Sequence, residues 1–191
     1  FKQKTAYEIM PSLVGSEMCI RDRDIRWSVW LEPCSADTVR YRKLIRECCE
    51  IFFSPVFEPH ITLFGRVGTE PESTFSFFED LISNHTSFSL KTLGVTTGEP
   101  PWKSLFIQLE ECEALLNLQA KIDDLFKSFR HYTFDPHISL AYGDLTINQN
   151  EMDVIALPES IRFSAVALVM TPDTIESWKY IKKYSLVDQN K

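Results

Sequence analysis

The sequence predicts an α+β fold in which two related lobes face each other, and three observations carry that expectation. Stretches of strand period alternate with stretches of helical period along the chain. No glycine-rich nucleotide loop of the doubly wound kind interrupts them. Above all, one short motif is written twice, as FEPHITLFG over residues 57–65 and as FDPHISLAYG over residues 134–143. The copies keep Phe, Pro, His, Ile and Leu in register, and exchange Glu58 for Asp135 and Thr62 for Ser139.

A first strand is expected over residues 25–31, where IRWSVWL is rich in β-branched and aromatic residues and Pro33 follows as a stop. A helix comes next over 36–52. Its residues Tyr41, Leu44, Ile45, Cys48 and Phe52 share one face, with Arg40, Lys43 and Glu47 outside. Pro55 ends it, and the first motif runs as a strand over 60–64. Thr69 and Glu72 have the spacing of a capping box. They are expected to open a helix that carries Phe75, Phe78, Leu81 and Ile82 on one side and closes at Asn84. Strands over 88–96 and 104–109 follow, around the turn Gly98-Glu99-Pro100-Pro101. A third helix over 111–129 repeats Leu115, Leu118, Ile122, Leu125 and Phe129 at helical spacing. The second motif gives a strand over 137–142. A short polar helical piece over 148–154 precedes two late strands, 162–170 and 177–185.

Residues 24–191 read as a single bilobal domain, because no low-complexity linker divides the halves. Residues 1–23 are excluded from it. Their stretch MPSLVGSEMCIRDR has neither period and resembles translated adaptor sequence, so it reads as a non-native or disordered leader. Fourteen Phe and four Trp supply a sizeable core. A net charge of −7 makes a poor partner for a long nucleic-acid backbone, which needs clustered Lys and Arg. A small phosphorylated substrate needs only a local positive spot. No apolar run approaches the roughly 18 residues that span a bilayer, and the five cysteines show neither CxxC nor zinc spacing. They read as reduced thiols of an intracellular protein. A cytoplasmic monomer without a membrane partner is expected.

In a strand, residues i and i+2 point to the same face. His60 therefore projects with Thr62, and His137 with Ser139, while Ile61, Leu63, Ile138 and Leu140 turn to the core. Pro59 and Pro136 remove a backbone donor just before each histidine, as suits a strand start. Side by side, the polar faces make a groove with two imidazoles and two hydroxyls. That inventory suits phosphoester hydrolysis without a metal. One ring takes a proton from water, the other protonates the departing oxygen, and the hydroxyls hold the non-bridging oxygens as charge builds. Imidazole titrates near 6.5 when unperturbed, so one ring can be neutral and its partner charged. A lone histidine at a strand start is ordinarily a satisfied, half-buried residue, and His85 and His131 are read so. Zinc competes for imidazole, but each motif offers one His and no Cys, Asp or Glu at ligand spacing on its face. Neither a metal nor a cofactor is expected.

The paired H-x-[ST] motifs, HIT at 60–62 and HIS at 137–139, make the chain resemble the 2H phosphoesterase superfamily. Within it the chain is similar to the cyclic phosphodiesterases of plant and yeast type. WSVWLEP near the start, Thr97-Gly98, Tyr142 five residues after the second His, and TIESWKYI near the end extend the resemblance over residues 25–186. It implies two antiparallel sheets facing a central cleft with helices outside. It implies hydrolysis of ADP-ribose 1″,2″-cyclic phosphate, a by-product of tRNA splicing, to the 1″-phosphate. Nucleoside 2′,3′-cyclic phosphates, opened to 2′-phosphates, would be secondary substrates. Carried over by position, His137 would activate water, His60 would protonate the leaving oxygen, and Thr62 and Ser139 would hold the phosphate.

Tyr142 falls one residue off the His137/Ser139 alternation, but the strand ends there and can turn it into the cleft. Trp102, beside the proline-rich turn, is a candidate to stack on adenine. Trp178 is read as structural, and Arg66 as either a phosphate neutraliser or a solvated side chain. Two other readings stay open. One is an RNA 2′-5′ ligase-like or RNA end-processing enzyme, against which the acidic balance speaks. The other is a nucleotide-binding module without chemistry, against which the full set of histidines and hydroxyls speaks.

Overall fold

The structure is a computed structural model that describes residues 26–148, 152 and 155–188. The leader over 1–23 and, apart from Asn148 and Met152, the polar helical piece over 148–154 lie outside the described residues. The chain starts with β1 (Trp27–Pro33), buried along its whole length because both of its faces are covered. Trp27, Val29 and Leu31 join the main core, whereas Ser28 and Trp30 face a cleft. Pro33 does not stop the strand before itself. It is the last strand residue, placed opposite Phe163 beyond a register shift, where its missing N–H is tolerated.

Next, α1 (Ser35–Phe52) buries Tyr41, Ile45, Cys48 and Cys49 and closes at Phe53 in the left-handed conformation, φ 53°. β2 (Ile61–Val67) carries the first motif and runs three residues farther than its alternation suggests. The expected capping box does not form. Pro71–Thr74 make a 3-10 turn whose N-cap is Glu70, with no side-chain cap hydrogen bond, and proline at the start supplies the helical φ instead. The Thr69 carbonyl accepts the Trp27 indole N–H at 2.7 Å. Then come α2 (Phe75–Ser83), β3 (Phe88–Thr97), β4 (Leu105–Leu109) and α3 (Glu113–Phe126). The buried stripe of α3 is Leu115, Leu118, Ile122 and Phe126. Because the helix ends there, Phe129 leaves the stripe and is 59% exposed. β5 (His137–Ala141), β6 (Ser160–Met170), a 3-10 turn (Ile175–Ser177) and β7 (Lys179–Ser185) complete the chain.

Every pairing between these strands is antiparallel, along a path β2-β1-β6-β3-β4-β5, with β7 also on β6, and a single parallel bridge joins Thr86 to Val187 outside them among the described residues. β3 is the bridge: residues 88–91 pair with β6, and residues 92–97 pair with β4. The path thereby divides into two antiparallel sheets, one ending on β2 and the other on β5, as the α+β expectation requires. The two ends curl together so that β2 and β5 touch. The helices cross over: α1, which leaves β1, packs on β5, and α3, which leads into β5, packs on β2. Each motif strand is thus covered by a helix from the other half. Among the described residues no helix is long and apolar enough to cross a membrane.

Candidate active site

Each histidine enters its strand behind a proline and makes the same local bond. His60 Nδ1 lies 2.6 Å from the Glu58 carbonyl oxygen, and His137 Nδ1 lies 2.8 Å from that of Asp135. A carbonyl only accepts, so Nδ1 is assigned the proton in both rings. Nε2 is then an acceptor when the ring is neutral and a donor when it is charged, and both rings line one cleft of about 360 Å³. The acid that precedes each histidine is itself held. Arg42 donates to the Glu58 carboxylate from Nε and Nη2, the shortest contact being 2.6 Å. Asp135 is ion-paired with Lys103 and accepts from Gln108 Nε2 at 2.8 Å. These pairs fix the segments whose carbonyls orient the imidazoles.

The surroundings of the two rings differ. His60 is 4% exposed and lies flat against Trp30, with ring centroids 3.6 Å apart and 9° between planes. Burial pushes its imidazole down to about 3, with the Glu58 bond opposing and His137 reinforcing the shift. His137 is half-buried, with Phe106 edge-on at 5.1 Å. Burial lowers it too, against its bond to Asp135 and with the help of Lys103. At neutral pH both rings are therefore uncharged, and an anion between them favours protonation of one.

The hydroxyls are also unequal. Thr62 lines the cleft, and Tyr132 holds its carbonyl with an O–H bond of 3.1 Å. Ser139 is not in the lining; it is 5% exposed, and its hydroxyl bonds with the phenol of Tyr142. β5 ends at Ala141, and Tyr142 does turn into the cleft, its backbone N–H bonded to Ser54 Oγ at 3.0 Å. Burial raises its phenol, which stays protonated. Trp102 lines the cleft edge-on to Tyr142 at 5.8 Å, with 40% of its surface exposed. Trp178, read from the sequence as structural, stands on the same wall, 5.4 Å from Trp30 and 6.1 Å from His60 between centroids.

Sequence reasoning missed Trp30, Lys103, Arg130 and Tyr132, all of which line the cleft. Trp30 had a signal in its strand period, but its partner across the ladder, Thr62, is known only from the register. Strict alternation also fails beyond Thr62. Register shifts against β1 on either side of Val29 bury Phe64 and bring Gly65 to the cleft, while Leu63, Arg66 and Val67 keep the faces that alternation from Thr62 gives them. Arg66 adopts φ 60° at that point. Among the described residues no group of three or more His, Cys, Asp or Glu is arranged to hold a metal ion.

Comparison with known proteins places this geometry. The sequence matches the family described as "Cyclic phosphodiesterase-like protein" over residues 25–190. Solved structures share the fold. TT0787 of Thermus thermophilus gives a TM-score of 0.61 at 18% identity, over 87% of this chain and 100% of that one. E. coli LigT complexed with 3′-AMP gives 0.59 at 17% identity, over 85% and 98%. The same protein complexed with NADP+ gives 0.58 at 17% identity, over 86% and 98%. No curated protein sequence matches the chain. Since the family match spans both histidine strands and the cleft between them, this chain belongs to the cyclic phosphodiesterase-like family of the 2H phosphoesterase superfamily.

Proposed function

We propose that the chain hydrolyses ADP-ribose 1″,2″-cyclic phosphate to ADP-ribose 1″-phosphate without a metal, and opens nucleoside 2′,3′-cyclic phosphates to 2′-phosphates. The observation that carries this reading is the matched pair of imidazoles, each with Nδ1 occupied by a carbonyl and Nε2 left for the shared cleft. The substrate phosphate lies between the rings, and its charge raises the imidazole pKa that burial holds down. His60 takes up the proton, and the Trp30 face stacked on it favours the resulting imidazolium. Neutral His137 accepts a proton from water as the water oxygen bonds to phosphorus. The bond from phosphorus to O2″ breaks, and His60 Nε2–H delivers its proton to that oxygen. Thr62 donates to a non-bridging oxygen, where negative charge grows.

The aromatic wall of Trp102, Tyr142 and Trp178 suits an adenine base. E. coli LigT, which shares the fold, has been solved with 3′-AMP, with ATP and with NADP+, and these complexes support a nucleotide in a cleft of this kind. Action as a cytoplasmic monomer on the by-product of tRNA splicing belongs to the same proposal.

The test offers purified protein both cyclic phosphates in the presence of EDTA and resolves the products by phosphorus NMR. ADP-ribose 1″-phosphate and 2′-AMP are the expected products. Turnover of neither refutes the proposal. Turnover confined to oligonucleotides ending in a cyclic phosphate would make the protein an RNA end-processing enzyme, and tight nucleotide binding without product would make it a binding module. The pH profile of kcat/KM is expected to be bell-shaped. It reports the free enzyme, in which burial lowers both imidazoles, so its maximum lies below pH 6.5.

A further inference from the structure

We infer that the cleft holds a second anion subsite, formed by Arg66 and Arg130 and fitted to the diphosphate of a nucleoside diphosphate sugar; it rests on the reading above and names what the far end of that site recognises. The cleft does not stop at the reacting groups. It follows β2 past Thr62 to Gly65 and Arg66, and Arg130 closes the same end. Thr62 and Arg66 are four residues apart, at most about 13 Å of strand, and a pentose followed by a diphosphate fills a reach of that order.

Three features show that this end is built for an anion. First, the first register shift in β2 turns Phe64 to the core and the second returns Arg66 to the cleft beside Gly65, the kind of bulge found beside functional sites. It holds that residue at φ 60°, a conformation that side-chain-bearing residues seldom adopt unless their surroundings impose it. Second, Arg130 Nη1 donates to the Gly65 carbonyl, the carbonyl of the bulge itself, at 3.2 Å. Its other contacts, the His131 carbonyl at 3.4 Å from Nε and the Tyr132 ring at 5.6 Å, are uncharged too, and among the described residues no ion pair neutralises it. Third, Arg66 Nη2 sits 2.5 Å from Asp173 Oδ1, and Arg26 reaches the same carboxylate at 3.2 Å. One carboxylate thus serves two guanidinium groups. A diphosphate, with more negative charge and oxygens spaced for bidentate donors, displaces Asp173 from Arg66.

At the same end, Ser28 Oγ and Thr171 Oγ1 are hydrogen-bonded to each other at 2.7 Å, which leaves one hydroxyl proton of the pair for a ligand. An extended RNA strand would need a continuing basic track, which a chain of net charge −7 does not favour.

The experiment measures ADP-ribose binding by calorimetry to the full chain and to its Arg66→Gly, Arg130→Gln and Asp173→Asn variants. Arg66→Gly removes the guanidinium and relaxes the positive φ, so its thermal midpoint holds or rises and lost binding is not lost folding. We expect ADP-ribose to bind about tenfold more weakly to either arginine variant, a loss in the range of one charged hydrogen bond, and a few-fold more tightly to Asp173→Asn. In turnover, kcat/KM should fall at least about tenfold further for ADP-ribose 1″,2″-cyclic phosphate than for 2′,3′-cyclic AMP, which has no second anionic group. Unchanged ADP-ribose affinity in both arginine variants overturns the subsite. An equal fall for a trinucleotide ending in 2′,3′-cyclic phosphate overturns the diphosphate assignment in favour of an RNA phosphodiester. Absence of turnover on every substrate defeats the proposed reaction, and the calorimetric series then decides the subsite by itself.

Discussion

The strand behind Pro59 and the strand behind Pro136 begin alike, each with a histidine whose Nδ1 meets the carbonyl two residues back, and then they part. The first histidine is sealed against Trp30 and its strand continues through two register shifts to Arg66. The second stays half-buried between Phe106 and the Lys103–Asp135 pair, and its strand ends at Ala141. What is local to the motif, the tautomer, is therefore duplicated. What comes from neighbours, namely burial, charge and the length of cleft served, is not. In the reaction proposed above, two opposite proton transfers fall to a symmetric motif because its two settings differ.

Removing either imidazole tests the shared part. His60→Ala and His137→Ala should each lower kcat/KM by about 10²- to 10⁴-fold with circular dichroism unchanged, and a variant that keeps its rate would break the pairing. The hydroxyls test the unshared part. Thr62→Ala should lower kcat by about 10²-fold, whereas Ser139→Ala, whose hydroxyl is engaged by Tyr142, should lose about tenfold at most. Equal losses would mean that Ser139 turns toward the phosphate during turnover.

Folding stability separates the two rings further. The His60 pKa in the fold lies below its unfolded value, so above pH 6.5 both states are neutral and nothing is lost. As the pH falls from 6.5 toward 3, the unfolded chain binds a proton that the fold resists. Stability then drops by up to about 1.4 kcal/mol per pH unit. Urea midpoints of His60→Gln should show a shallower acid limb than the parent, and His137→Gln a smaller change. The least effect is expected of Lys103→Met. It removes a cation that holds His137 down and leaves Asp135 to raise it, so the alkaline limb of kcat/KM, set by the less lowered ring, moves to higher pH by a fraction of a unit. Arg42→Met, the counterpart at Glu58, should leave that limb where it is.

The paired histidines and the outline of strands and helices were legible because period-two and 3.6-residue patterns are local properties. Tyr142 was legible for a related reason: a strand that ends releases its next residue from alternation. The capping box failed because Pro71 starts a 3-10 turn by itself, and Phe129 failed because periodicity says nothing about where a helix stops. Trp30, Arg130 and Lys103 reach the cleft through ladder register and loop placement, which a spacing rule does not encode. Gly65 is the sharpest instance. Period two turns it away from the face of Thr62, and the register shifts against β1 bring it to the cleft while Phe64 goes to the core.

The crossed cover of the two motif strands bears on how the protein could be divided. With α1 lying on β5 and α3 on β2, a chain cut in the segment between β3 and β4 would yield two pieces, each presenting a histidine strand stripped of its shield. The bare apolar faces and open ladder edges would invite self-association. Only co-expression of both pieces would give each imidazole back the dry setting that its partner half supplies.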